Sequence, residues 1–301
     1  MKIFIMTDWE GPSGVVARPS SNGSHQHEIT NYVEAGELLT QEVNACAEGL
    51  FKAGAKDVIA IDGHGGGNAF SHMRLDPRVA AGSLGGIMYP RSFGLGPSFD
   101  AAIQIGAHAM NGRSGFLSHT FSSGQIIEMR LNGELIGEVG IEILLAAYFG
   151  VPTIMISGDA ACCKEAMEFL GFEIPHVITK DTPYRYTVIN RPIAQVRSQL
   201  TAQAQYALEH LSSFPVKVMK KGFEITVKWM NINSADDCER RGAERLDDVT
   251  VRWKDDDFLE VWAQQQGWAP KVHSRRFPEL HAAGVWKWFY LVTILIILRL
   301  S

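Results

Sequence analysis

The sequence is short of cysteine and carries no surplus of positive charge. Its four cysteines, Cys46, Cys162, Cys163 and Cys238, include one adjacent pair and no C-x-x-C pair. That argues against a disulfide framework and against a thiolate zinc site. It fits a reducing compartment, and a cytoplasmic location is expected. Lys and Arg number 28 against 33 Asp and Glu, a net charge of −5, so the basic footprint of a nucleic-acid binder is missing. No G-x-x-x-x-G-K-[ST] occurs, which excludes a P-loop. No G-x-S-x-G elbow occurs either, so His64-Gly65-Gly66-Gly67, which is like the oxyanion loop of esterases, has no serine nucleophile to serve. The segment Gly63 to Asn68 lacks the third glycine of a dinucleotide fingerprint, and His27-Glu28-Ile29-Thr30-Asn31 lacks the second histidine of a zincin helix. The opening MKIFIMTDWEG is apolar too briefly and acidic too soon for a signal peptide, and reads as a buried strand from residue 2.

What is present is enough for a core. The chain has 301 residues and is 46% hydrophobic, about two domains at ~150 residues each. Strands are predicted at Lys2–Thr7, Asp57–Ile61, Ala101–Gly106 and Val151–Ser157. Helices are predicted over Asn31–Ala53, with Val33, Leu38, Leu39, Val43, Ala47 and Leu50 at helical spacing, and over Glu138–Phe149 and Ala160–Leu170. Gly11–Glu28 and Asp62–Asn68 read as loops. Asn132-Gly133 between Ile126–Leu131 and Glu134–Ile136 predicts a hairpin with a type I′ turn. Alternating strands and helices argue for a layered α/β domain with a mostly parallel central sheet, residues 1–190. Residues 191–265 read as a smaller α+β part: a helix over Pro192–Leu211, strands at Phe223–Met230 and Asp248–Trp253, and a helix over Asp256–Gln265. Residues 266–301 read as linker and tail.

Three early strands each run into a candidate metal ligand. The first ends in Thr7-Asp8-Trp9-Glu10, where alternation on an extended chain turns Asp8 and Glu10 the same way. The second runs into Asp62-Gly63-His64 and the third into His108. Ligands of open α/β sheets gather beyond the carboxyl ends of the strands. Two carboxylates and two imidazoles without a thiolate suit one or two zinc-like ions, with Asp8 or Glu10 as a bridge. Glu138 reads either as a further ligand or as an acid favoured at a helix N-terminus. His119 reads as a general base, a nucleophile or a structural group.

Asp8-Trp9-Glu10-Gly11, Asp62-Gly63-His64, Gly106-Ala107-His108, Leu117-Ser118-His119 and Gly137-Glu138-Val139-Gly140 stand in the order and approximate spacing of the zinc D-aminopeptidases of the dipeptide-operon type, peptidase family M55. Val151–Asp159 and Gly242–Val261 resemble later segments of that family, so the resemblance spans about residues 1–265. It implies a hydrolase with two Zn2+ per chain that removes D-amino acids from the amino end of short peptides. It implies Asp8, Glu10, His64, His108 and Glu138 as metal ligands, His119 as the catalytic histidine, and a ring-stacked decamer with an interior chamber. Trp9 departs from the family pattern, and it is expected to narrow the site.

The chain also continues about 35 residues past the family's usual end. Val285–Leu300 is nearly all apolar, broken by Lys287, Thr293 and Arg299, after a polar stretch Gln264–Arg276 that reads as a linker. Sixteen helical residues reach roughly 24 Å, short of the ~30 Å hydrocarbon core. An oligomer contact, a foreign or frame-shifted tail and a membrane contact stay open for it. Two further functions also stay open. One is another metal-dependent amidohydrolase or an L-selective peptidase. The other is a non-catalytic peptide- or metal-binding partner of a transport system.

Overall fold

The computed structural model describes residues 1–19, 27–29, 32–65, 69, 71–83 and 94–267. The chain begins with β1 (Lys2–Thr7), a ribbon of β2 (Ala17–Pro19) and β3 (His27–Ile29), and helix α1 (Tyr32–Lys52). It continues through β4 (Asp57–Asp62), β5 (Val79–Ser83), β6 (Ala101–Ala107), the hairpin β7 (Ile126–Leu131) and β8 (Glu134–Leu135), and α2 (Glu138–Tyr148). Then come β9 (Thr153–Asp159), α3 (Ala160–Leu170), β10 (His176–Tyr184), β11 (Thr187–Asn190) and α4 (Ile193–Glu209). The last elements are β12 (Phe223–Trp229), α5 (Ile232–Arg240), β13 (Glu244–Arg245), β14 (Thr250–Asp255) and α6 (Phe258–Gln265).

The central sheet has seven strands in the order β11-β10-β9-β6-β1-β4-β5. All neighbours run parallel except β10 and β11, which gives the α/β class with a mostly parallel sheet. Strand β1 shows why it sits in the middle. Ile3 and Ile5 join Leu39 and Val43 of α1 and Val196 and Leu200 of α4 on one face. Phe4 and Met6 turn to the other face, against Phe99 and Ala146. Burying each such side chain is worth about 1.5–3 kcal/mol, enough to exceed the ~1–2 kcal/mol for fixing its backbone.

The second sheet, β13-β14-β12-β7-β8, is antiparallel. Its core of Ile225, Val227, Trp253, Phe258 and Trp262 also takes Ile141, Leu144 and Leu145 of α2. Val139 and Ile143 of the same helix enter a different core with Ile156, Cys162 and Ala166. Helix α2 is therefore apolar on most of its circumference and lies between two cores, as such helices must. The hairpin turn is the expected one: Asn132 and Gly133 have φ of 50° and 85°, both positive as type I′ requires.

The structure also departs from the sequence reading. Gly11–Glu28 is not wholly loop, because β2 and β3 pair within it. β5, β10, β11, α5 and β13 were not foreseen. β5 is Val-Ala-Ala-Gly-Ser, too small in side chain to signal a strand. β10 carries a Lys-Asp pair in its middle, and α5 buries only Ala235 and Cys238. Gln264 and Gln265 belong to α6 rather than to a linker. The tail Val285–Leu300 lies outside the described residues, and no described helix is long and apolar enough to cross a membrane.

At the carboxyl end of the sheet Thr7 of β1 lies beside Asp62 of β4 and Ile105 of β6, which runs on to Ala107. Gly106 makes this close approach possible. Its φ is +77°, and a Cβ there would meet the Asp8 carbonyl oxygen at 2.2 Å. Gly54 shares a positive φ of +88°, with nothing within 4 Å of a built Cβ. Gly54→Ala is therefore expected to cost only the conformational penalty, about 1 kcal/mol. Gly106→Ala adds a clash with rigid backbone and is expected to cost well above ~2 kcal/mol. Urea unfolding of the two variants checks this, and equal losses would show that Gly106 serves conformation alone.

Candidate metal centre

Just past those strand ends, six side chains from five segments meet. Asp8 and Glu10 follow β1, His64 follows β4, His108 follows β6, His119 lies in the loop beyond it, and Glu138 is the first residue of α2. Asp8 presents its two oxygens to different rings: Oδ1 lies 3.0 Å from His64 Nδ1 and Oδ2 lies 3.2 Å from His108 Nε2. Glu10 Oε2 is 3.2 Å from His64 Nδ1. Glu138 Oε1 is 3.4 Å from His108 Nε2 and 3.8 Å from His119 Nε2. Among the described residues, three overlapping donor sets can each close on a cation: Asp8, Glu10 and His64; Asp8, His108 and Glu138; Glu10, His108 and His119.

The same alternation that joins Asp8 and Glu10 sends Trp9 the other way. Trp9 is 1% exposed and sits in the core with Ala35 and Leu39, its ring tilted at 46° against His64 at a centroid distance of 4.9 Å. It supports a ligand ring from behind and does not narrow an open cavity, which corrects the expectation drawn from its bulk.

The donor atoms fit a cation. His108 Nδ1 lies 2.9 Å from the Ala109 carbonyl and His119 Nδ1 2.8 Å from the Leu117 carbonyl. A carbonyl only accepts, so each Nδ1 carries a hydrogen and each Nε2 faces the cluster, where it binds a proton or, in the neutral ring, offers a lone pair to a cation. His108 Nε2 and Glu10 Oε2 are buried without a hydrogen bond among the described residues. A lone pair facing carboxylates is tolerable only with a proton or a cation between them.

The ionisation of the metal-free cluster says the same. Burial lowers the His64 ring, but Glu10 and Asp8 overcome it and lift it to about 11. Burial also lowers His108, and Asp8 and Glu10 lift it to about 9. Burial raises the Asp8 carboxyl, and His108 and His64 outweigh that to hold it well below the usual range. His119 goes the opposite way. Burial, reinforced by the His108 ring stacked 4.0 Å away, pushes it down to about 4.

Asp159 and Glu165 outside the cluster, and Glu138 within it, hold the loop that carries His108 and His119. Asp159 caps α3 through Cys162 N–H and also accepts from Phe116 N–H at 2.8 Å. Glu165 accepts from Met110 N–H at 2.9 Å. Glu138 Oε1 accepts from Phe121 N–H at 2.6 Å. Leu117 and Phe121, on either side of His119, have φ of 50° and 56°, a strain of about 1–3 kcal/mol each for residues with a side chain. Sequence reasoning found none of these supports. Asp159 alone carried a signal, an Asp at a strand-to-helix junction.

Comparison with known proteins places this geometry. The D-aminopeptidase family, peptidase family M55, matches residues 1–266. A D-aminopeptidase of Bacillus subtilis (strain 168) is 27% identical over 269 residues, which is 87% of this chain and 94% of that protein. A solved structure, the Zn-dependent D-aminopeptidase DppA from Bacillus subtilis, a self-compartmentalizing protease, superposes with a TM-score of 0.80 at 25% identity. That superposition covers 88% of this chain and 96% of the solved one.

The raised histidines set a pH dependence. Their unfolded value is about 6.5, so the stabilisation from their ion pairs is fully present below ~6.5. It is lost as pH rises through about 9 for His108 and about 11 for His64. A metal must displace the same protons, so its stabilising effect grows in the same direction. Chelator-treated protein is expected to melt at progressively lower temperature from pH 7 upward. The gap to zinc-supplemented protein is expected to widen between pH 6 and 9. A gap independent of pH would show that the two rings do not exchange protons for metal.

Proposed function

The chain belongs to peptidase family M55, the D-aminopeptidases, and from that membership we propose that it is a dinuclear zinc aminopeptidase that releases N-terminal D-amino acids from short peptides or amides. The observation that carries the reading is Asp8, whose opposite oxygens face His64 on one side and His108 on the other. Asp8, Glu10, His64, His108 and Glu138 would hold the zinc ions, with Asp8 standing between the two histidine rings. Zinc held there supplies Lewis acidity toward the scissile carbonyl and brings the pKa of coordinated water to about 7.

The chain's own groups do the rest. Glu138 is fixed at the start of a buried helix and by its bond from Phe121 N–H, so its carboxylate is held at the cluster. His119 is tethered at Nδ1 and offers Nε2 to the cluster. Burial and the neighbouring His108 ring push it down to about 4 in the metal-free protein, so at neutral pH it is uncharged and its Nε2 carries no proton. It takes a proton from the water that attacks the carbonyl and delivers it to the leaving amine as the C–N bond breaks, a role worth ~10²–10⁴-fold in rate. This is preferred to direct attack by the ring. The preference for D-residues rests on the family. The self-compartmentalizing relative supports a homo-oligomer, a decamer in this reading. Four free, buried cysteines support action in the cytoplasm.

Elemental analysis is expected to find two zinc ions per chain. His119→Ala is expected to keep both and lose ~10²–10⁴-fold in kcat, whereas His64→Ala is expected to lose metal. Full activity in the first variant or full zinc in the second would remove that residue from its role. Paired D- and L-aminoacyl amides check stereochemistry: cleavage of the D-series is expected, and cleavage of the L-series alone would make the protein an L-selective peptidase.

A further inference from the structure

We propose that Lys180 is a positioning residue whose buried ammonium sets the spacing between the loop that carries Glu10 and the loop that carries His119. The inference rests on the metal-centre reading above. Lys180 lies in β10 and is 0% exposed. Its Nζ donates to the carbonyl of Glu10 at 2.8 Å and to that of Val15 at 2.9 Å. The same ammonium stands 4.5 Å from the centre of the Phe116 ring, within the range of a cation–π contact. One cation therefore touches the first ligand loop at two points and the second loop at a third.

The partners separate positioning from simple charge balance. Burying an ammonium is costly unless it is well partnered, and burial pushes the Lys180 amine down to about 7 although Glu42, Asp159 and Glu10 act to raise it. Among the described residues no carboxylate pairs with its Nζ directly, and its donors go to backbone carbonyls. Neighbouring groups brace the same contacts. Thr179, beside Lys180 in β10, donates its hydroxyl to the Gly11 carbonyl. Asp159, paired with Lys180 across β9 and β10, holds Phe116 through its backbone N–H. Ser13 N–H is held by Glu42 at 2.7 Å. Glu10 offers an atom to two of the three donor sets, so a shift of its backbone disturbs both. Phe116 stands three residues before His119, so the distance from Glu10 to His119 is fixed through Lys180.

The test uses the full chain loaded with cobalt(II) or zinc, as wild type, Lys180→Met, Lys180→Arg and Phe116→Leu. Lys180→Met keeps the length and apolar bulk and removes all donors. Its zinc affinity, read by competition with a chelator, is expected to fall ~10–100-fold, the usual loss when a group supporting a metal ligand is removed. Its cobalt visible spectrum is expected to change. Lys180→Arg, which keeps the charge but not the compact head, is expected to recover only part of the affinity. Phe116→Leu leaves both carbonyl bonds in place. It is expected to keep metal affinity and lower kcat with KM unchanged, because it frees the His119 loop alone. A folded Lys180→Met with wild-type zinc affinity and cobalt spectrum overturns the proposal. If Lys180→Met does not fold, an unaltered kcat in Phe116→Leu overturns it instead. A wild-type chain that takes up neither metal refutes the metal centre itself, a separate outcome.

Discussion

Three carboxylates are held together where water is scarce, and the centre is organised around that constraint. Asp8, Glu10 and Glu138 come from two separate segments of chain and meet in one buried cluster. Two like charges 4 Å apart repel by about 4 kcal/mol at an effective dielectric of ~20. Such a group persists only with positive charge inside it. In the metal-free protein the His64 and His108 rings provide that charge as imidazolium. In the proposed metal-loaded state they would give up those protons and become ligands. The same geometry serves both states because the rings occupy the spaces between the carboxylates.

The parallel sheet delivers these groups because β1, β4 and β6 are adjacent and end within two residues of one another. Register places Thr7 beside Asp62 on one side and Ile105 on the other, so the residues that follow fall on one rim. Glu138 reaches the rim by another route, from the N-terminus of a helix buried between two cores. A helix N-terminus favours an anion, so the acid that suits helix α2 is also the one that suits the cluster. The helix-capping reading of Glu138 and the ligand reading describe one residue in one position.

Rigidity around the centre comes from buried polar groups that hold backbone. Asp159, Glu165 and Lys180 each fix a loop by bonding its peptide groups. The positive φ of Leu117 and Phe121 is sustained by bonds at both residues. Leu117 N–H donates to the Arg185 carbonyl and Phe121 N–H to Glu138. His119 sits between these two pinned points, so its ring is aimed by the loop and the loop is aimed by residues far along the chain. Trp9 belongs to the same support, filling the core behind His64.

Much of this was legible in the residues. The apolar run Lys2–Thr7, the helical spacing of α1, the Asn132-Gly133 turn and the strand ends at Asp8, Asp62 and His108 follow from local rules: side-chain alternation, helical period and the backbone that glycine permits. Those rules also paired Asp8 with Glu10, since the extended backbone repeats every two residues. They could not show that the hairpin of residues 126–135 completes a sheet whose other strands lie about a hundred residues later, or that β10 joins the central sheet with a lysine at full burial. Nor could they reveal which carboxylates support a loop and which face the cluster, or that Trp9 turns inward. These are decided by contacts between segments distant in sequence, where burial, the local dielectric and the available partners are properties of the folded whole.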